Sequence, residues 1–177
     1  MSKSTSKMIK QTPWVEHKFN FDFPAEMYPV FLERMRGTHA RIREMVKSSS
    51  DKDLSKRMNE KWSVKDHIGH LTDLEELHVH RFHEFILGKE ILSPADIKNQ
   101  STTDANHNKK KLKKLIKEFK KSRLQFIQQL ERANEELINR KSIHPRLKIP
   151  MRLVDMTYFI CEHDDHHLTK IRSLIQK

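Results

Sequence analysis

The residues best suited to chemistry lie in the C-terminal stretch Glu162-His163-Asp164-Asp165-His166-His167. His163 and His167 are four apart. An α-helix turns about 100° per residue, so the pair stands one turn apart on a single face. With His163 as the origin of a helical wheel, Met156 and Leu174 fall at about 20°, His167 at about 40°, Ile160 at about 60°, and Leu153 and Ile171 at about 80°. The two imidazoles therefore lie inside the apolar stripe, where an unpaired ring nitrogen costs on the order of 1–3 kcal/mol. A shared divalent cation would satisfy both rings, and it would need at least a third ligand from elsewhere in the chain. His166, at about −60°, stands beside the pair as a candidate substrate contact.

Holding a cation there requires a long helix and a partner laid across it. The chain has 177 residues, enough for one domain with one sizeable core. Only three glycines and six prolines interrupt it, which favours long helices over strands and turns. No run of eighteen apolar residues is present, so no membrane span is expected. The basic N-terminus has no apolar run and does not read as a secretory signal. One cysteine, Cys161, offers no intramolecular disulfide and suits a reducing cytoplasm, the expected location.

Residues 1–19 read as a flexible basic tail and 20–177 as a single domain. Phe19, Phe21 and Phe23 alternate along an extended arm that packs on the bundle. Pro24 suits the first position of a helix running to about 47. An irregular stretch over 52–61 leads to a second helix from Ser63 to about Leu87, with a capping box from Ser63 and Asp66 and with Gly88 as its C-terminal cap. Residues 89–108 are polar, irregular and long for a bundle connection. They can cross from one end to the other, leaving the second and third helices parallel. The third helix spans about 109–139. A stiff connection, His144 to Pro150, leads to the fourth over about 151–176. The result is an all-α four-helix bundle in up-down-down-up order, with the start of helix two level with the later part of helix four. A third ligand is then sought in the first two turns of helix two, where His67 and His70 lie. The wheel of that helix places His67 nearer the apolar centre.

Trp62-Ser63-Val64-Lys65-Asp66-His67-Ile68-Gly69-His70-Leu71, taken with His163 to Leu168, resembles the DinB/YfiT-like family of metal-binding four-helix bundles. The resemblance extends over residues 20–177 and includes Arg34 to Thr38 and His144-Pro145-Arg146-Leu147. It implies that His70, His163 and His167 hold one divalent cation, zinc, nickel or iron, with His67 as a neighbour. It further implies a small-molecule substrate, a homodimer, and thiol-dependent S-transfer or isomerisation with a low-molecular-weight thiol as cosubstrate. In many members the histidine cluster is followed by Arg-Gly-Gln, whereas here Leu168-Thr169-Lys170 follows, which weakens the thiol reading. Three neutral imidazoles leave open positions on a metal, an arrangement suited to catalysis with activated water or thiol.

His166 and Glu75 are the candidate catalytic groups, with Asp66 a further candidate base. Glu75, Glu162, Asp164 and Asp165 are candidate acceptors for the ligand rings. His78, His80 and His83 read as rim residues, Cys161 as a packed small side chain, and Trp62 as bundle-end packing. The net charge of +11 raises two other readings: a metal-holding stress protein without turnover, and a nucleic-acid binder. Nine basic residues between Lys109 and Arg123 read as a solvated helix face. No aromatic residues interleave with them as base-stacking platforms would, so nucleic acid is disfavoured as a partner.

Overall fold

The computed structural model describes residues 10–58 and 61–176. Four long helices carry the fold: α1 (Tyr28–Val46), α3 (Val64–Ile86), α5 (Leu112–Leu130) and α7 (Leu153–Ile175). Between them lie the short α2 (Asp51–Leu54), α4 (Gln100–Asp104) and α6 (Glu135–Asn139). The small hairpin of β1 (Lys141–Ile143) and β2 (Pro150–Arg152) immediately precedes α7.

Side-chain pairings fix the helix directions. Phe31 meets Cys161 and Thr38 meets Asp164, so α1 and α7 run parallel. His67 meets His167 while His70 faces His163, so α3 and α7 are antiparallel. Glu75 meets Arg123 and Phe82 meets Phe126, so α3 and α5 run parallel. Tyr28 reaches the carbonyl of Leu130 at 3.1 Å, so α1 opposes α5. This is the up-down-down-up bundle expected from the long crossover.

Local chemistry sets the ends of α3. Ser63 accepts from Asp66 N at 3.1 Å, and Asp66 Oδ2 accepts from Ser63 N at 3.0 Å, closing the expected capping box. Gly88, at φ +66°, supplies the left-handed residue just past the end of the helix. Two apolar clusters fill the bundle. One, around Ile68, Leu71, Phe119 and Ile171, occupies the end where α3 begins. The other, around Phe31, Met35, Phe85 and Ile160, occupies the opposite half.

Several boundaries differ from those expected. The helix placed over 109–139 breaks at 131–134, because Asn134 turns extended and caps a new helix, accepting Leu137 N at 2.9 Å. The stretch 52–61 begins within α2, capped by Ser50; residues 59–60 lie outside those described. The 89–108 connection is structured: Leu92 N bonds Ile143 O at 3.0 Å, α4 follows, and a 3-10 turn spans His107–Lys109. The stiff connection is the tip of the β1–β2 hairpin, closed by His144 N to Ile149 O at 3.0 Å.

The described part of the N-terminal arm packs on the bundle; residues 1–9 of the expected tail lie outside the described residues. Trp14 packs edge-on against Phe159, and Phe23 against Phe31 and Tyr158. Arg152 donates to the carbonyls of Phe21 and Phe23, which holds the arm down.

Arg123, read as part of the solvated basic face, is 0% exposed. It bridges Glu75, at 2.7 Å, and Asp164, at 2.5 Å, at the centre of the bundle. The wheel position of a long cation shows which way it points but not what awaits it there.

Candidate metal centre

One nitrogen from each of His70, His163 and His167 lies within 4.8 Å of the other two. His163 and His167 approach through their Nε2 atoms at 3.1 Å, as the i, i+4 spacing on α7 requires. His70 reaches across from the second turn of α3. All three rings are buried.

The contacts of the outward nitrogens bear on the tautomer of each ring. His70 Nδ1 lies 3.0 Å from Thr102 Oγ1, and Thr102 donates to Asp73 Oδ2 at 2.8 Å. His107 Nε2 reaches the same Asp73 oxygen at 2.8 Å. With Thr102 committed as donor to Asp73, its oxygen accepts from His70 Nδ1–H, which leaves a lone pair on His70 Nε2. His167 Nδ1 lies 2.8 Å from His67 Nδ1, and with the proton of that contact on His167 its Nε2 carries a lone pair. His163 Nδ1 is buried with no partner among the described residues.

The electrostatics favour neutral rings. Burial, reinforced for each ring by other histidines nearby, lowers the pKa of His163 and His167 well below the usual value. Burial lowers His70 to about 4. Lone pairs are therefore available at neutral pH.

These residues fit a cation. Two nitrogens bound to one metal at 2.0–2.1 Å with a tetrahedral angle stand about 3.3 Å apart. The 3.1 Å separation of the His163 and His167 Nε2 atoms is close to that. A cation between them would take both lone pairs, whereas without one the contact is a hydrogen bond that one of the two rings donates through Nε2–H.

A cleft of about 380 Å³ opens beside the rings, walled in part by Trp14, Trp62, His67, His166 and Lys170. Trp62 covers the cluster, its ring centroid 4.7 Å from that of His70 and 6.1 Å from that of His167. Trp14 covers the other side, 4.9 Å from the ring of His163. Gln11 Nε2 lies 3.1 Å from His166 Nδ1, so His166 accepts there and carries its own proton on Nε2.

The chain's sequence matches the family model of the DinB superfamily over residues 30–171. The chain belongs to the DinB superfamily. Among solved structures, YfiT from Bacillus subtilis, described as a probable metal-dependent hydrolase with an unusual four-helix bundle topology, is similar at 18% identity and a TM-score of 0.76, covering 91% of this chain and 93% of that one. A mycothiol-dependent maleylpyruvate isomerase is similar at 13% identity and a TM-score of 0.65, covering 85% of this chain and 61% of that one. At these identities the likeness establishes the shared fold. No curated protein sequence matches the chain.

The other sequence candidates are placed as follows. Glu75 is bound by Arg123 and does not line the cleft, which corrects its reading as a catalytic group at the metal. Asp66 caps α3 and takes Arg57 at 2.8 Å, so it does not serve as a base there. Glu162 and Asp165 bind Arg34, while Asp164 binds Arg123 and Thr38. None of these three orients a ligand ring. His67, favoured by the wheel of α3, sits against His167. His78, read as a rim residue, is buried beside Glu75, whereas His80 and His83 are exposed as expected.

Thr102, Asp73 and His107 were missed. Thr102 and His107 come from a stretch without helical periodicity, and Asp73, on α3, resembles any other helix-surface acid. One sequence signal bears on them: Gly69. A Cβ there would lie 2.1 Å from His107 Cγ, so the glycine admits that ring. Cys161 is buried, donates to Phe31 O at 3.3 Å, and burial raises its thiol pKa, all consistent with a packed small side chain. No helix among the described residues is long and apolar enough to cross a membrane.

Proposed function

We propose that the chain is a metal-dependent enzyme that hydrolyses a small molecule, with His70, His163 and His167 as the ligands of one divalent cation. The observation that carries this reading is the convergence of three buried imidazoles, each with its pKa lowered by burial, on one point beside an open cleft. Structural zinc sites of four protein ligands are closed, whereas three ligands beside a cleft leave a position for an exchangeable group. A divalent cation held there would lower the pKa of a water in that position to roughly 7 and polarise a carbonyl.

The chain's own residues supply the rest. Thr102 and Asp73 hold His70 in orientation, and His67 does the same for His167. Trp14 and Trp62 exclude bulk water from the two faces of the cluster. His166 offers Nε2–H as a hydrogen-bond donor to a substrate oxygen. Likeness to YfiT over almost the whole of both chains supports hydrolysis. Activation of a thiol is the second reading, favoured by likeness to the mycothiol-dependent isomerase. Leu168-Thr169-Lys170 after the histidines counts against it.

The test is metal content by mass spectrometry and hydrolysis of 4-nitrophenyl butyrate, for the wild type and His70→Ala. Near one equivalent of metal in the wild type and at least a tenfold loss of bound metal and of kcat/KM in the variant are expected. Wild-type protein without stoichiometric metal, even after incubation with zinc, nickel or iron(II), would sink the proposal. Conjugation of a low-molecular-weight thiol to a chromogenic electrophile, without ester hydrolysis, would select the second reading.

A further inference from the structure

Past the histidines the cleft continues into a smaller chamber of about 150 Å³, which shares His163, Trp14 and Arg146 with it. The inner wall carries Arg81 and His144. Arg81 is 3% exposed, and its only side-chain hydrogen bond among the described residues runs from Nε to Ser93 O at 2.9 Å. Arg146 lies over the rings of Trp14 and Phe159, 5.9 and 5.8 Å from their centroids. Its Nη1 reaches Val15 O at 3.5 Å, while its Nη2 is buried with no partner among the described residues. His144 Nδ1 accepts the backbone N–H groups of Arg146 and Leu147, so its proton is on Nε2, which is also buried and unpartnered among the described residues.

Among the described residues, the side chains that line the chamber thus carry donors that lack an acceptor, and no acidic side chain lines it. The acid nearest in effect to Arg81 is Glu84, which is engaged by Lys89 and Ser93. Burial and the charge of Arg146 lower the pKa of Arg81 to about 10, and burial lowers that of Arg146. Arg81 is buried and Arg146 partly so, and because Glu84 is already engaged, an anion in the chamber would complete the local charge balance. The rest of the wall is apolar, with Leu77, Pro94 and Phe159. The volume is that of a cavity that admits a benzene-sized group. A planar monoanion matches both the guanidinium forks and the apolar surround.

We propose that this chamber is an anion subsite, and that the enzyme's substrate is an organic carboxylate held by Arg81, Arg146 and His144 while its reacting group reaches the three histidines. This rests on the metal-dependent reading above, but the subsite itself binds without metal.

The test compares 4-fluorobenzoate with 4-fluorobenzyl alcohol, which has nearly the same shape without the charge, by 19F NMR on metal-stripped and metal-loaded protein. Benzoate should bind at least tenfold tighter than the alcohol in both forms, and Arg146→Met and Arg81→Met should each erase the difference. Equal binding of the two by stripped wild type overturns the subsite, whatever the metal content. Displacement of benzoate by inorganic phosphate at lower concentration than by acetate overturns the carboxylate class. Among esters, kcat/KM for mono-4-nitrophenyl succinate should exceed that for 4-nitrophenyl butyrate at least tenfold, and Arg146→Met should bring the ratio toward one. Benzoate binding that survives while metal binding and hydrolysis both fail would support the subsite and remove the metal-dependent reading.

Discussion

Replacing Arg123 with methionine should uncover the strongest internal charge balance of the bundle. Its Nε and Nη2 donate to Glu75 Oε1 at 2.9 and 2.7 Å, and Nη1 and Nη2 donate to the two oxygens of Asp164 at 2.5 and 3.1 Å. Arg123 and Asp164 are 0% exposed and Glu75 is 3% exposed, so the variant would strand two carboxylates in a dry core. Removing one partner from a buried pair costs about 3–5 kcal/mol, a large fraction of the roughly 5–15 kcal/mol that holds a domain together. With a urea slope of about 2 kcal/mol/M, the unfolding midpoint should fall by about 1.5–2.5 M at pH 7.

The pH dependence supplies a second, independent check. Burial pushes the pKa of Glu75 up, but the charge of Arg123 and contact with His78 outweigh it, and the carboxyl is held below its ordinary value. In the wild type this group therefore stabilises the fold above the unfolded pKa and loses that contribution as the pH falls through the folded one. In Arg123→Met burial dominates instead, so the folded pKa lies above the unfolded one. The variant then loses stability as the pH rises, and its deficit relative to the wild type should shrink between pH 7 and pH 5. A deficit under about 1 kcal/mol at pH 7, or one that stays constant down to pH 5, would refute this account of the core.

Two further outcomes follow from the surroundings of the histidines. Thr102→Val removes the oxygen that accepts from His70 Nδ1 and donates to Asp73, and should weaken zinc binding about 10–100-fold in equilibrium dialysis; unchanged affinity would mean that the relay does not orient His70. Metal-free protein should lose stability as the pH falls from about 6.5 toward 4. His67, His70 and His166 have pKa values lowered to about 4 and His144 to about 3, mainly by burial, so below the ordinary histidine value the unfolded chain takes up protons that the folded one refuses. Urea midpoints that are flat across that range would contradict the neutral, buried state of these rings.

The long helices were legible because their patterns are local. Apolar spacing, the Ser63/Asp66 box and Gly88 act over a few residues, and the direction of each helix followed from the length of the 89–108 crossover. The break at Asn134 was hidden, because Leu130 and Leu137 keep helical spacing across it while the chain turns. The hairpin was hidden too, since three-residue strands carry almost no period. The wheel of α3 favoured His67 because it measures only the centre of an apolar arc; which ring reaches His163 depends on how α7 crosses that arc.

The sequence by itself determined an all-α chain, the i, i+4 histidine pair on the inner face of its last helix, and a crossover long enough to bring the start of α3 beside that pair. These are properties of covalent order and helical period. The tertiary structure alone decided that His70 points at the pair while His67 turns against His167, that Thr102 and Asp73 hold His70, and that Arg123 leaves the basic face for the core. It also decided that Arg81 and Arg146 share one chamber. Each depends on which distant side chains share a buried space, and there the cost of an unpaired charge or ring nitrogen selects one arrangement from the several that local pattern allows.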